Sequence, residues 1–274
     1  MSESNRIFVL LVATSVPLRE FYSNVMRTLL RLAYDGAPFC GWQIQPKDRT
    51  VQGDLDDALS KLLRQPIQTM GAGRTDTGVH AKEMFVHFDW SPEQGEGTTD
   101  LDQLVHRLNR FLDPAIRIYE AREVTSDWHA RFDATSRSYE YILCASGSPF
   151  WRENAWMVES LPNVAQMNAA AKLLLAETDF ASFCKAGSDN KTTICSVTHA
   201  EWVSEGGVLV FHITADRFLR NMVRAIVGSL YEVGRGKWTV DDFKARMAEK
   251  NRGAMGTSAP AQGLYLTQVT YNNL

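Results

Sequence analysis

From Ile67 to Trp90 the chain reads IQTMGAGRTDTGVHAKEMFVHFDW. Ile67 to Met70 is a short β-like run that delivers the chain to a glycine-rich loop. After the loop, Met84, Val86, Phe88 and Trp90 alternate with Phe85, His87 and Asp89, the period of a strand. The loop from Gly71 to Ala81 sets Arg74, Asp76 and His80 among three glycines, which permit turns and close backbone approach that a Cβ would hinder. Upstream, Thr50 is placed to cap a helix. Val51, Leu55, Ala58, Leu59, Leu62 and Leu63 form its apolar face, and Pro66 ends it. Before that helix, Thr28 to Tyr34 (TLLRLAY) predicts a strand running into the punctuated loop DGAPFCGWQ. Downstream, the acidic loop SPEQGEGTTD leads to a helix capped by Asp100 and carrying Leu101, Leu104, Val105, Leu108 and Leu112, and AIRIYEARE predicts a further strand. The order is βαββαβ.

The same order recurs from about Trp128 onward. Ser138 to Cys144 is strand-like, and a helix is expected over Val164 to Leu175, after a loop with Pro149 and Pro162. Ile194 to Val203 and Val208 to Thr214 form a hairpin pair across Glu205, Gly206 and Gly207. Helices over Arg217 to Val233 and Val240 to Glu249 and a strand at Leu264 to Tyr271 complete the chain. The fold class is therefore α+β, with two ferredoxin-like (RRM-like) halves, residues 26–127 and 128–274. They form an extended, mainly antiparallel sheet with helices on one face and a central catalytic cleft. The opposite face is expected to be a concave floor suited to an elongated ligand.

The chain has 274 residues, 45% of them hydrophobic, enough to bury a substantial core. A net charge of −3 excludes a uniformly basic nucleic-acid binder but leaves room for a basic groove. The four cysteines form no CxxC pair and no metal-ligand spacing, so reduced thiols and a cytoplasmic location are expected. RIFVLLVATSVPL has the apolar length of a signal-peptide core, yet Glu3 offsets Arg6, and Met26 stands immediately before the first strand pattern. Residues 1–25 are read as an extension outside the core fold, with export as the competing reading. No other stretch approaches the ~20 apolar residues of a membrane span.

The chemistry centres on Asp76. Gly71, Gly73 and Asp76 give GxGxxD where a dinucleotide fingerprint wants a third glycine, and no P-loop lysine follows. Asp76-Thr77-Gly78 is the local signature of aspartic proteases, but that chemistry needs two such carboxylates and the chain has one DTG. Arg74, two residues away, is suited both to holding Asp76 ionised and to meeting an anion. His80 is expected to serve as a structural hydrogen-bonding residue. In HARFDATSRSYEYI (His129 to Ile142), strand alternation puts Arg137, Tyr139 and Tyr141 on one face, as a stacking surface with an arginine for phosphate. In DRFLRNMVRAIVGSLYEVGRGKW, Phe218, Met222, Ile226, Val227 and Leu230 make a core stripe, with Arg217, Arg220 and Arg224 on an adjoining helix face. A non-catalytic RNA-binding module built from two RRM-like halves is the rival reading, but it does not account for the Arg74–Asp76 loop.

RLAYDG and FCGWQ (Arg31 to Gln43), TVQG (Thr50 to Gly53), GAGRTDTGVHA, ARFDATSRSYEY and FLRNMVRAIVGSL resemble, in the same order, the tRNA pseudouridine synthase I family. The resemblance runs from about Met26 to the end, with Thr77 where alanine is frequent. It implies conversion of uridine to pseudouridine at positions 38 to 40 of the tRNA anticodon stem-loop. It further implies that Asp76 is the catalytic aspartate, that Arg74 takes the space of the extruded uridine, that Tyr139 stacks on the uracil and that Arg224 pairs with Asp76. Arg137, Arg217 and Arg220 are the accompanying candidates for RNA contact. A homodimer with no metal or organic cofactor is the implied assembly.

Overall fold

The structure is a computed structural model that describes residues 25–92, 100–145, 149–185, 187, 191–272 and 274. The extension proposed for residues 1–25, Val25 apart, and most of the acidic loop SPEQGEGTTD lie outside the described residues. The elements are β1 (Met26–Tyr34), α1 (Val51–Leu63), β2 (Met70–Gly71), β3 (His80–Trp90), α2 (Leu101–Phe111), β4 (Ile116–Val124), β5 (Ala134–Ala145), β6 (Trp156–Val158), α3 (Val164–Ala171), β7 (Val197–Glu205), β8 (Val208–Ala215), α4 (Met222–Gly234), α5 (Val240–Ala248) and β9 (Leu264–Tyr271).

Among the described residues nine strands make one mixed sheet in the order β4-β1-β3-β9-β5-β8-β7, with β2 on β3 and β6 on β5. Neighbours run antiparallel except at β3–β9 and β5–β6. The fold is thus α+β with a large, mostly antiparallel sheet. The β3–β9 contact is short, His80 opposite Tyr265 and Ala81 opposite Leu266. It brings the end of the glycine loop against the last strand of the chain.

Local chemistry accounts for most elements. Thr50 Oγ1 accepts from the Gly53 amide at 3.2 Å and starts α1, and Arg64, at φ 56°, stops it. Asp100 accepts from the Asp102 and Gln103 amides at the start of α2. Gly206 and Gly207 both take positive φ and close the two-residue hairpin between β7 and β8, with Glu205 opposite Val208. One core lies where α3, α4 and α5 cover β5, β7 and β8, and another where α1 and α2 meet β1, β3 and β4. Tyr139 packs against both.

Three expectations need correction. The strand expected over Ile67 to Met70 is confined to Met70–Gly71, because Thr69 is taken by helix α1: the Asp56 carboxylate accepts from its amide at 3.0 Å and its hydroxyl at 2.6 Å. The strand expected from Ile194 starts only at Val197. The third matters for function. Helix α4 begins at Met222, not Arg217, because Asn221 adopts the left-handed conformation (φ 64°) and its Nδ2 donates to Ser258 Oγ at 2.6 Å. Arg217 and Arg220 therefore lie in the lead-in to the helix, and the three arginines do not share a helix face.

The segment before β5 is anchored by a buried histidine. His87 Nδ1 accepts from the Ala130 amide at 3.2 Å, and its ring meets that of His129 at 4.6 Å. Burial, reinforced by the neighbouring His129 and Arg27, pulls the His87 pKa down to about 4. The unfolded chain thus binds the proton near pH 6.5 and the folded one near 4. This contribution to stability is complete above pH 6.5 and is lost as the pH falls through that window, by up to about 3 kcal/mol. Asp56, pushed up to about 6 by burial, acts with the opposite slope. Urea titrations of wild type and His87→Asn between pH 7 and 4.5 isolate the histidine: the variant should be weaker at pH 7 and lose less on acidification. Parallel pH profiles would refute the assignment.

Candidate active site

The Asp76 loop is held by direct backbone packing against the loop after β1. The Trp42 amide donates to Thr75 O at 3.2 Å, and Asp76 and Val79 close a turn through Val79 N to Asp76 O at 3.1 Å, with Gly78 at φ 76°. A Cβ on Gly36 would stand 2.1 Å from Val79 O, and one on Gly41 would stand 2.6 Å from Thr75 O. The two glycines of DGAPFCGWQ are thus required by the loop that carries Asp76. Beneath it, Tyr34 Oη and Thr75 Oγ1 share a buried hydrogen bond of 2.9 Å, and burial drives the Tyr34 phenol well above its ordinary range. None of these supporting groups was singled out by sequence. The signal lay in the glycine spacing of the preceding loop.

Asp76 is about one-third exposed, and Arg224 Nη1 lies 3.6 Å from its Oδ2. Arg224 projects from the first turn of α4 and is itself fixed: Nε donates to Ala259 O at 2.7 Å, while its carbonyl accepts from the Ala259 amide at 2.9 Å. The counter-charge of Asp76 is therefore Arg224. Arg74 is exposed and has no side-chain hydrogen bond or ion pair among the described residues. It stands beside the carboxylate in sequence with its donors unspent.

Tyr139 comes from β5. Its ring meets Phe218 edge-on at 5.0 Å, and its phenol is pushed up to about 12, by burial first and then by the charge of Asp76, with Arg137 opposing. Phe218 belongs to the lead-in that also carries Arg217 and Arg220, so those arginines reach the neighbourhood through a loop. Arg220 is exposed and Arg217 half-buried. Tyr141, two residues along β5, is wholly buried in the core that contains α4 and donates to Pro260 O at 2.9 Å. Tyr139, like Tyr141, therefore faces the helix-bearing side of β5, opposite the floor expected from sequence to take an elongated ligand.

Arg137 shares the Tyr139 side of β5 but does not present its guanidinium ends to a ligand. Nη1 donates to Ala134 O and Asp216 O, both at 2.9 Å, and Nη2 donates to Ala72 O at 3.2 Å and Arg131 O at 2.6 Å. The phosphate contact anticipated for it gives way to a clamp on four carbonyls, one of them two residues before Arg74. His80 is buried and structural: Nδ1 accepts from the Gly36 amide at 3.2 Å, Nε2 faces Gln262 O at 3.2 Å, and the ring stacks on Tyr265 at 4.5 Å. Its pKa is lowered by burial, against the pull of Asp35. Among the described residues no group of three His, Cys, Asp or Glu side chains is placed to hold a metal ion, and no helix is long and apolar enough to cross a membrane.

One carboxylate, fixed by an arginine and backed by a tyrosine, is thus assembled from a loop, a strand and a helix turn distant in sequence. Residues 170–272 match the family model described as tRNA pseudouridine synthase. A protein of Parabacteroides distasonis named tRNA pseudouridine synthase A is 47% identical over 245 residues, 89% of this chain and 96% of its own length. The namesakes from Bacteroides fragilis (47% over 249 residues, 90% and 97%) and Bacillus pumilus (36% over 252 residues, 90% and 100%) align over similar spans. The chain belongs to the tRNA pseudouridine synthase family. It is accordingly an enzyme of the isomerase class. Within that family, the Asp76 loop, the Tyr139 strand and the Arg224 turn are the parts of this chain that converge.

Proposed function

We propose that this chain isomerises uridine to pseudouridine in tRNA at positions 38, 39 and 40 of the anticodon stem-loop, with Asp76 as the reactive carboxylate and no cofactor. The observation that carries this reading is the convergence of Asp76, Arg224 and Tyr139 around one partly open carboxylate, in a chain whose relatives are named tRNA pseudouridine synthase A.

The target base must leave its stack, at about a few kcal/mol for a loop nucleotide. Arg74, without a side-chain partner among the described residues, takes the vacated space, and Tyr139 stacks on the extruded uracil. The N1–C1′ bond breaks, the uracil turns within the site, and C5 bonds to C1′ while the C5 proton is lost and N1 gains one. Asp76 attacks C1′, adds to the ring or removes a ribose proton; each route ends in the same isomer, and none exchanges electrons with a cofactor. Arg224, 3.6 Å away, keeps the carboxylate aimed. Arg217 and Arg220 meet RNA phosphates, while Arg137 supports the site from behind.

Two ferredoxin-like halves, residues 26–127 and 128–274, working as a cytoplasmic homodimer, complete the reading. The strand orders β4-β1-β3-β2 and β9-β5-β8-β7 support the division, while Leu266 and Val269 of β9 pack into the core of the first half and join the two. The decisive experiment is pseudouridine mapping on tRNA from cells lacking this protein. Loss of modification at positions 38 to 40, restored by the wild-type gene, is the expected result. Unchanged modification there would overturn the proposal.

A further inference from the structure

Phe132 is 74% exposed, yet the turn that carries it is tied by a dense set of hydrogen bonds. His129 Nδ1 accepts from the amides of both Arg131 and Phe132, at 3.1 and 3.3 Å. The His129 amide donates to Asp133 Oδ2 at 2.7 Å, and the Asp133 amide donates back to His129 O at 3.1 Å. Ala130 is held on both sides, its amide donating to His87 Nδ1 at 3.2 Å and its carbonyl accepting from Tyr271 Oη at 2.6 Å. An exposed phenylalanine on a surface loop is ordinary by itself. Here, however, four side chains, those of His129, Asp133, His87 and Tyr271, fix the turn of a side chain that contributes little to any core.

The ring also has two polar neighbours. The His129 imidazole lies 4.3 Å from it, centroid to centroid, at 35°, and the Arg131 guanidinium stands over it 5.8 Å from its centre. Most of the ring is nevertheless open to solvent. The turn is tied to the stem of the Asp76 loop, because Nη2 of Arg137 donates both to Arg131 O and to Ala72 O. A single nitrogen thus ties the residue before Phe132 to the loop of Arg74 and Asp76.

We infer that Phe132, backed by His129 and flanked by Arg131, is a stacking subsite for an unpaired RNA base neighbouring the target uridine. The inference rests on the proposed RNA-modifying function. An aromatic face takes any base, while the adjacent guanidinium suits the phosphate that follows it. Such a contact holds the strand while the target base is drawn toward Asp76, and it adds to binding rather than to bond breaking.

The test uses the full-length protein with a tRNA transcript and with the corresponding anticodon stem-loop carrying 2-aminopurine beside the target. Phe132→Ala should keep the wild-type melting temperature, raise KM for tRNA about tenfold, the effect of losing one stack, and change kcat less than KM. It should also abolish the 2-aminopurine quenching that wild type produces. Phe132→Trp should restore both signals, whereas Phe132→Leu should not. Unaltered KM and quenching in Phe132→Ala, or full rescue by leucine, would overturn the subsite. A wild-type protein that binds the stem-loop but forms no pseudouridine would defeat the functional reading alone, because quenching still tests the stack.

Discussion

Asp76→Asn is expected to form no measurable pseudouridine, with product formation at least about 10³-fold below wild type, while keeping its fold and most of its affinity for tRNA. Asparagine is nearly isosteric and preserves the shape of the turn closed by Val79, but its neutral amide is neither a nucleophile nor a base, whichever of the three routes the carboxylate follows. Stability should change little. The ion pair with Arg224 is 3.6 Å long and about one-third exposed on the aspartate side, a setting in which such pairs are worth about 0–1 kcal/mol. Asp76→Glu separates chemistry from charge. It keeps the carboxylate but moves it by one methylene on a loop fixed by Gly36 and Gly41, and it should remain severely impaired, as misplacement of a reacting group predicts. Tritium release from 5-tritiated uridine in tRNA, measured beside a tRNA-binding isotherm for each variant, gives the readout. Undiminished release from the asparagine variant would remove Asp76 from the chemistry.

How much of this was legible in the sequence depended on whether the deciding contact was local. Thr50 and Asp100 cap their helices from within three residues, and the Gly206–Gly207 hairpin is set by its own two residues, so these features were readable. The strand Leu264–Tyr271 followed from period and aromatic content. The start of α4 was not readable. The apolar spacing from Phe218 to Met222 imitates a helix, and what interrupts it is a side-chain bond from Asn221 to Ser258. The side of the sheet that Tyr139 faces was hidden for the same reason, since it is set by which helix buries Tyr141. At the site, Asp76 stood out by residue type and glycine context. The supporting roles of Gly36, Gly41 and Tyr34 exist only once two loops touch. Arg137 was recognised as belonging to the site, but its partners lie in three backbone segments, around Ala72, Arg131 to Ala134 and Asp216, that no periodicity connects.

That clamp carries the second large prediction. Arg137→Lys is expected to destabilise the protein by about 1–3 kcal/mol, the effect of leaving the part-buried carbonyls of Ala134 and Ala72 without a donor, and to lower kcat at temperatures well below the melting point. The forked guanidinium serves Ala134, Asp216, Ala72 and Arg131 at once. A lysine ammonium is one point with three donors and cannot span both pairs. Burial also lowers the Arg137 pKa, the mark of a charge held away from water. Loss of the Ala72 contact frees the stem of the loop that carries Arg74 and Asp76, so activity should fall even where the chain is still folded. Urea midpoints and single-turnover rates for wild type, Arg137→Lys and Arg137→Ala measure both effects. A phosphate-binding Arg137 would behave otherwise: lysine would keep stability and rate, and alanine would flatten the salt dependence of tRNA binding by about one unit of slope. The carbonyl clamp predicts an unchanged slope with a lost midpoint, so one pair of titrations separates an arginine that shapes the site from one that touches RNA.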